Sequence, residues 1–260
     1  MSQAPERILP RFVERVWGSR DLGPWFPPAE TPTGEVWFDA GPLLIKFLFT
    51  SQPLSVQVHP DDDYARRVED SRGKTEMWLI LRAGPQARIA CGFREPVSLE
   101  QVRVSASDGS IESLLGWFTP KPGDVFFTPA GTVHALGPDL AVLEIQQNSD
   151  VTYRLYDYNR GRPLHLDRGM EVVKPEAHPG PSLQQDLPGG GRLLATCDYF
   201  ATERWQLSGP ATVGPGCYIV LEGSGRLGNE VFSPGEVWQS GAGLEIQPDS
   251  QVTIVRTYVP

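Results

Sequence analysis

Apolar and β-branched residues come in short runs cut by turn formers, and only a few stretches show helical spacing. Leu43–Phe49 (LLIKFLF) and Leu54–His59 (LSVQVH) read as strands around the turn-like Ser51-Gln52-Pro53. Asp61–Val68 reads as a short helix after Pro60, its aspartates suited to the positive N-terminal end. Thr75–Leu81 returns as a strand. Ser98–Val104 and Ser110–Phe118 read as helical turns, the second with Ile111, Leu114, Leu115 and Phe118 near helical spacing. Strand signals resume at Val125–Thr128, Val142–Gln146 and Thr152–Tyr156, with Pro-Ala-Gly and Gly-Pro-Asp marking turns. Lys174 to Gly191, rich in Pro and Gly, reads as a linker. Beyond it, Leu193–Leu207, Cys217–Leu221, Gly235–Gln239 and Val252–Tyr258 supply further strands. The expectation is a mainly β protein of two β lobes, 1–178 and 179–260, with a small helical insertion in the first.

Composition supports many short strands: 27 glycines and 25 prolines occur without a collagen-like period. A net charge of -9 argues against nucleic-acid or anionic-membrane partners, which need a broad positive field. Any anionic substrate must then be held by a few local cations. Neither a signal-peptide-like start nor a membrane-length apolar run occurs, so a soluble, cytoplasmic protein is expected. Cys91, Cys197 and Cys217 are too few and too scattered for a disulfide framework or a paired zinc site.

Only four histidines are present: His59, His134, His165 and His178. Gln57 and His59 stand at i and i+2 on one strand, which aims both at one face while Val56 and Val58 take the other. Lys74 and Glu76 repeat that spacing at the next strand. A lone histidine is more often structural than a ligand. His134, however, ends Gly123-Asp-Val-Phe-Phe-Thr-Pro129-Ala-Gly131-Thr-Val-His134, which fits G-x5-P-x-G-x2-H, a tight turn that delivers an imidazole from the second of two strands. Two imidazoles, a carboxylate and an amide oxygen suit zinc or another divalent first-row metal. One carboxylate under a divalent cation leaves net positive charge, which stabilises an anionic intermediate.

The glycine-proline-histidine spacing resembles the second cupin motif, and Gln57/His59/Glu76 resembles a variant of the first. The flanking blocks are more specific. Leu54–Asp62 (LSVQVHPDD), Gly73–Trp78 (GKTEMW) and Glu144–Leu155 (EIQQNSDVTYRL) resemble, in order, three signatures of the type I mannose-6-phosphate isomerases, and Pro5–Gly18 and Gly34–Trp37 resemble that family's opening. The short spacing between Glu76 and His134 matches the short bacterial form. The resemblance implies two cupin-like (jelly-roll) lobes, the first catalytic, and interconversion of mannose 6-phosphate and fructose 6-phosphate through an enediolate. It implies Gln57, His59, Glu76 and His134 as ligands of one zinc per chain, and Arg154, Lys74, Glu144 and Asp150 as the catalytic set. Ser55, Lys46 and Lys74 would contact the substrate. The partner would be a small sugar phosphate, and the chain a monomer or homodimer. Burial of Glu144 would lift its pKa toward general-base territory. The 179–260 lobe has no histidine, and aligning Gly235 with Gly123 puts Ile246 where His134 stands, so it is expected to bind no metal. The rivals are a cupin that binds a sugar or sugar phosphate without turnover, an isomerase for another aldose or ketose, and a cupin dioxygenase, against which Gln57 counts.

Overall fold

The computed structural model describes residues 4–260. Antiparallel strands dominate and form four sheets. A six-stranded sheet runs Arg11–Ser19, Thr33–Ala40, Leu43–Thr50, Leu140–Gln147, Glu76–Ala83, Val125–Thr128; a five-stranded sheet runs Tyr153–Tyr156, Val56–Val58, His134–Leu136, Ile89–Phe93, Leu115–Phe118. The later strands make a seven-stranded and a four-stranded sheet. The first strand, Glu6–Ile8, pairs with Val237–Gln239, so the chain starts in the seven-stranded sheet before entering the six-stranded one.

The six-stranded sheet is covered on both faces, which explains why Leu43–Thr50 is buried at every position. The two-residue period sorts its side chains. Ile45, Phe47 and Phe49 pack toward the seven-stranded sheet with Ile219, Leu221 and Val255. Leu48 packs on the other face with Trp78 and Val142, and Lys46 meets Glu144 there. Polar chemistry therefore enters the covered sheet on one face only.

Helix α1 is Asp62–Glu69, one residue later than expected, with Asp61 as N-cap accepting the Tyr64 N–H at 2.9 Å. Helix α2 is Leu99–Asp108, longer than expected, opened by a Ser98/Gln101 capping box and closed by Gly109 at φ 85°. Helix α3, Leu166–Val172, has no side-chain cap and carried no start signal. The helical reading of Ser110–Phe118 is corrected. Only Ser110–Ser113 coils, as a 3-10 turn, and Leu115–Phe118 is a strand on Ile89–Phe93. Gly116 lies so close to its partner that a Cβ would stand 3.1 Å from the Phe93 carbonyl oxygen, an approach that helix periodicity cannot register.

Lys174–Gly191 is not a free linker. Phe93 donates to the Glu176 carbonyl, Ser182 to that of Val125, and His178 meets the Phe127 carbonyl at 2.8 Å, so the segment is pinned along the first β unit. No helix is long and apolar enough to cross a membrane among the described residues.

Candidate metal centre and substrate cleft

His134 opens a strand wedged between Val56–Val58 and Ile89–Phe93, its Cα opposite both Gln57 and Cys91. The turn before it is tight. Gly131 sits at φ 91° and donates to the His59 carbonyl at 2.8 Å, and Ala130 donates to Thr75 Oγ1 at 3.2 Å. The Lys74 N–H donates to the Pro60 carbonyl at 2.9 Å. The segments carrying His59, Lys74–Glu76 and His134 are thus tied together by main-chain groups and the Thr75 hydroxyl, before any ligating side chain acts.

The ligating atoms of His59, Glu76 and His134 all lie within 4.8 Å of one another, and all three residues are buried. His59 Nε2 stands 3.6 Å from Glu76 Oε2, and His134 Nε2 3.4 Å from Glu76 Oε1. Both Nδ1 atoms face main-chain carbonyls at 2.9 Å, His59 that of Val151 and His134 that of Thr132. That fixes the tautomer with hydrogen on Nδ1 and leaves each Nε2 lone pair aimed inward. Neither Glu76 oxygen has a hydrogen-bond partner, a costly state for a buried carboxylate. Gln57 reaches the same point, its amide nitrogen 3.2 Å from His134 Nε2, and rotation about its last side-chain bond would present the oxygen there. Two inward lone pairs, an unsatisfied carboxylate and a nearby amide fit a divalent cation.

Electrostatics agree with that fit. Burial, then Lys74 and His134, hold His59 well below its ordinary range, and burial pushes His134 down to about 4, so both imidazoles are neutral donors. Burial and the neighbouring Glu144 push Glu76 up to about 8. Without a cation, burial therefore favours the protonated form of Glu76.

Beside this group opens a cleft of about 340 Å³, lined by Lys46, Ser55, Gln57, Lys74, Asp150 and Arg154 among others. Lys74 Nζ lies 3.0 Å from His59 Nε2 and 3.4 Å from Glu76. Lys46 is buried and lies 3.3 Å from Glu144, whose other oxygen accepts the Trp78 indole N–H at 2.9 Å. The expected rise in the Glu144 pKa is corrected. Burial alone would raise it, but Lys46, Lys74 and the Trp78 hydrogen bond together hold it below the ordinary range. Ser55 Oγ stands 3.5 Å from Gln57 Oε1. Arg154 donates through Nη1 to the Pro163 carbonyl at 2.8 Å, and its Nε is buried without a partner, unlike a surface ion pair.

Sequence reasoning assigned no role to Arg15, Trp17, Glu35, Thr152 or Arg162, which line the same cleft. Arg15 and Trp17 stand at i and i+2, as do Glu35 and Trp37, on paired neighbouring strands. That spacing was legible in the sequence. No histidine flagged it.

No family model matches the chain. It is 41% identical over 283 aligned positions to the Bacillus subtilis mannose-6-phosphate isomerase ManA, covering 87% of this chain and 88% of that one. It is 36% identical to the mannose-6-phosphate isomerase of Streptococcus mutans, covering 79% of this chain and 72% of that protein. The crystal structure of the Bacillus subtilis mannose 6-phosphate isomerase superposes with a TM-score of 0.87 at 27% identity, covering 99% of this chain and all of that one. A putative mannosephosphate isomerase from Archaeoglobus fulgidus shares the fold, with a TM-score of 0.81 at 20% identity and 99% and 98% coverage. With relatives this similar over most of both chains, and a buried histidine–glutamate–histidine cluster beside its cleft, this chain belongs to the mannose-6-phosphate isomerase family.

Proposed function

We propose that this chain interconverts mannose 6-phosphate and fructose 6-phosphate by moving a proton between C1 and C2 through an enediolate. The observation that carries the reading is a cleft lined by Asp150 and clustered arginine and lysine that opens beside a buried cation-fitting donor group, in a chain of net charge -9. Gln57, His59, Glu76 and His134 hold a divalent cation, and zinc suits two imidazoles with a carboxylate and an amide oxygen. When bound, that ion supplies positive charge against the enediolate. Lys74 adds an ammonium beside the same group. Arg154 presents guanidinium N–H groups where negative charge develops. Glu144 is engaged by Lys46 and Trp78, so it orients Lys46, while Asp150 lines the cleft without an ion pair among the described residues and transfers the proton. Ser55 and Lys46 contact the substrate.

The same reading takes 1–178 as the catalytic cupin domain and 179–260 as a companion without metal, acting in the cytoplasm as a monomer or homodimer. A repeated turn supports the companion's kinship: Gly123 donates to the Ile80 carbonyl and Ile80 back to that of Asp124, as Gly235 does to Val220 and Val220 to Glu236. Both glycines sit in the left-handed region, and Ile246 lies in an apolar core.

The deciding experiment assays mannose 6-phosphate, glucose 6-phosphate and unphosphorylated mannose side by side, before and after chelation and with divalent ions restored. Mannose 6-phosphate turnover should vanish with the metal and return with zinc or a related ion. Full activity after complete metal removal, or turnover of another aldose phosphate alone, would sink the reading.

A further inference from the structure

Two cations of the cleft are matched by carboxylates: Arg15 lies 2.6 Å from Glu35 and Lys46 3.3 Å from Glu144. One stretch of wall breaks this one-to-one pattern. There Arg154 and Arg162 line the cleft, and behind them Arg160 joins them around a single buried carboxylate, Asp157. Arg162 donates Nε to Asp157 Oδ2 at 2.7 Å and Nη2 to Oδ1, and Arg160 Nη2 lies 3.0 Å from the same Oδ1. Arg154 has only the Pro163 carbonyl, its Nε being buried and unpartnered. Two positive charges are left unbalanced. The surrounding groups feel it: burial and then Arg162 hold Arg154 below its ordinary range, while the arginines overcome burial to hold Asp157 low.

We propose that Arg162, fixed in the cleft wall by Asp157, is a specificity-determining residue that grips the phosphate of the substrate. A phosphate monoester carries about two negative charges near neutral pH, the amount this cluster lacks. Asp157 takes two of the donor groups of Arg162 and so fixes the plane of the guanidinium, leaving Nη1 for a ligand. The loop is built to do this. Tyr158 and Asn159 adopt φ of 52° and 55°, and this left-handed pair turns the chain so that Arg160 and Arg162 both return to Asp157. Lys46, already neutralised by Glu144, contributes less net attraction than the arginine cluster. That the phosphate belongs to a sugar rests on the proposed isomerase reading, whereas the charge excess does not.

The test titrates glucitol 6-phosphate, which has no carbonyl and cannot isomerise, into the metal-loaded protein by calorimetry. Arg162→Met should weaken binding about ten- to a hundred-fold, the range for a lost charge-assisted contact, with metal content unchanged. Arg162→Lys should recover part of the loss. Asp157 acts as a positioning residue, so Asp157→Asn should weaken binding, yet Asp157→Asn combined with Arg162→Met should bind no worse than Arg162→Met alone. If Asp157→Asn does not fold, Arg162→Met against Arg162→Lys still decides. Binding by Arg162→Met within about two-fold of the parent protein would overturn the proposal, as would loss of metal in that variant. Because the ligand does not react, a failed isomerase assay with the Arg162-dependent binding intact would count against the reaction and leave this inference standing.

Discussion

Asp150 and Glu144 are both carboxylates of the cleft, but their neighbours give them different work. Glu144 is held ionised by Lys46, Lys74 and the Trp78 hydrogen bond, whereas Asp150 has no ion pair among the described residues. Asp150→Asn should therefore lower kcat by about 10²–10⁴, the usual contribution of a placed acid–base group, with KM and metal content nearly unchanged. Near-normal turnover would move proton transfer elsewhere. Arg154→Lys should cut kcat/KM by orders of magnitude at parental metal content, since an ammonium cannot reproduce a planar fork; ordinary kinetics would return Arg154 to a structural role. Glu76 supplies a pH test. In the metal-free chain its carboxyl is pushed up to about 8 against an ordinary 4.5, so the folded state holds a proton that the unfolded state has lost. Stability from Glu76 is full below 4.5 and is lost as pH rises through about 8. His134 has the opposite sign: its contribution is present above 6.5 and lost as pH falls through about 4. From pH 6.5 to above 8, then, the Glu76 effect stands alone of the two. Chelated protein should lose thermal midpoint across that window while metal-loaded protein holds steady. Parallel curves would refute the assignment.

Among elements, the turn before His134 decides whether the donors converge. Gly131 combines φ 91° with crowding: an added Cβ would stand 2.9 Å from the Val172 carbonyl oxygen and the Lys174 side chain. Gly131→Ala should cost about 1–3 kcal/mol in denaturant unfolding and weaken metal binding, because the glycine N–H also ties the turn to the His59 carbonyl. A stable variant with parental metal affinity would show that the turn can shift freely. Two other elements mark the reach of sequence patterns. The helix at Asp61 was readable because its cap and first turn are local chemistry, and its boundary moved by one residue. Ser110–Phe118 misled because Leu115 and Phe118 suit either period, and pairing with Ile89–Phe93 decided between them.

Across the whole molecule, the six- and seven-stranded sheets share one apolar layer that joins Phe47 and Phe49 to Ile219, Leu221 and Val255. Phe47→Ala should destabilise the protein by about 3–5 kcal/mol, as for a large core truncation. Fluorescence and far-UV transitions should still coincide, since both sheets lose the same layer. Two separated transitions in the parent protein would show instead that the sheets unfold independently. The core residues of the later strands divide by parity: Ile219, Leu221 and Val255 serve the shared layer, while Tyr218, Val220, Val252 and Ile254 pack within the later sheets.

The sequence by itself determined the strand-rich class, the starts of the two earlier helices to within a residue, and the residue types of the donor group, since all of these rest on local spacing or local chemistry: i, i+2 on a strand, aspartates at a helix start, or glycine and proline ahead of His134. It also told that an anionic ligand must find local cations in an acidic chain. Tertiary structure alone decided the charge state of Glu144, because Lys46 and Trp78 meet it only across neighbouring strands. It alone placed Arg160 and Arg162 on Asp157, and it brought Arg154 and Arg162 into one cleft wall through a left-handed loop. Interactions between paired strands depend on register and burial, and neither is written in the spacing of a single strand.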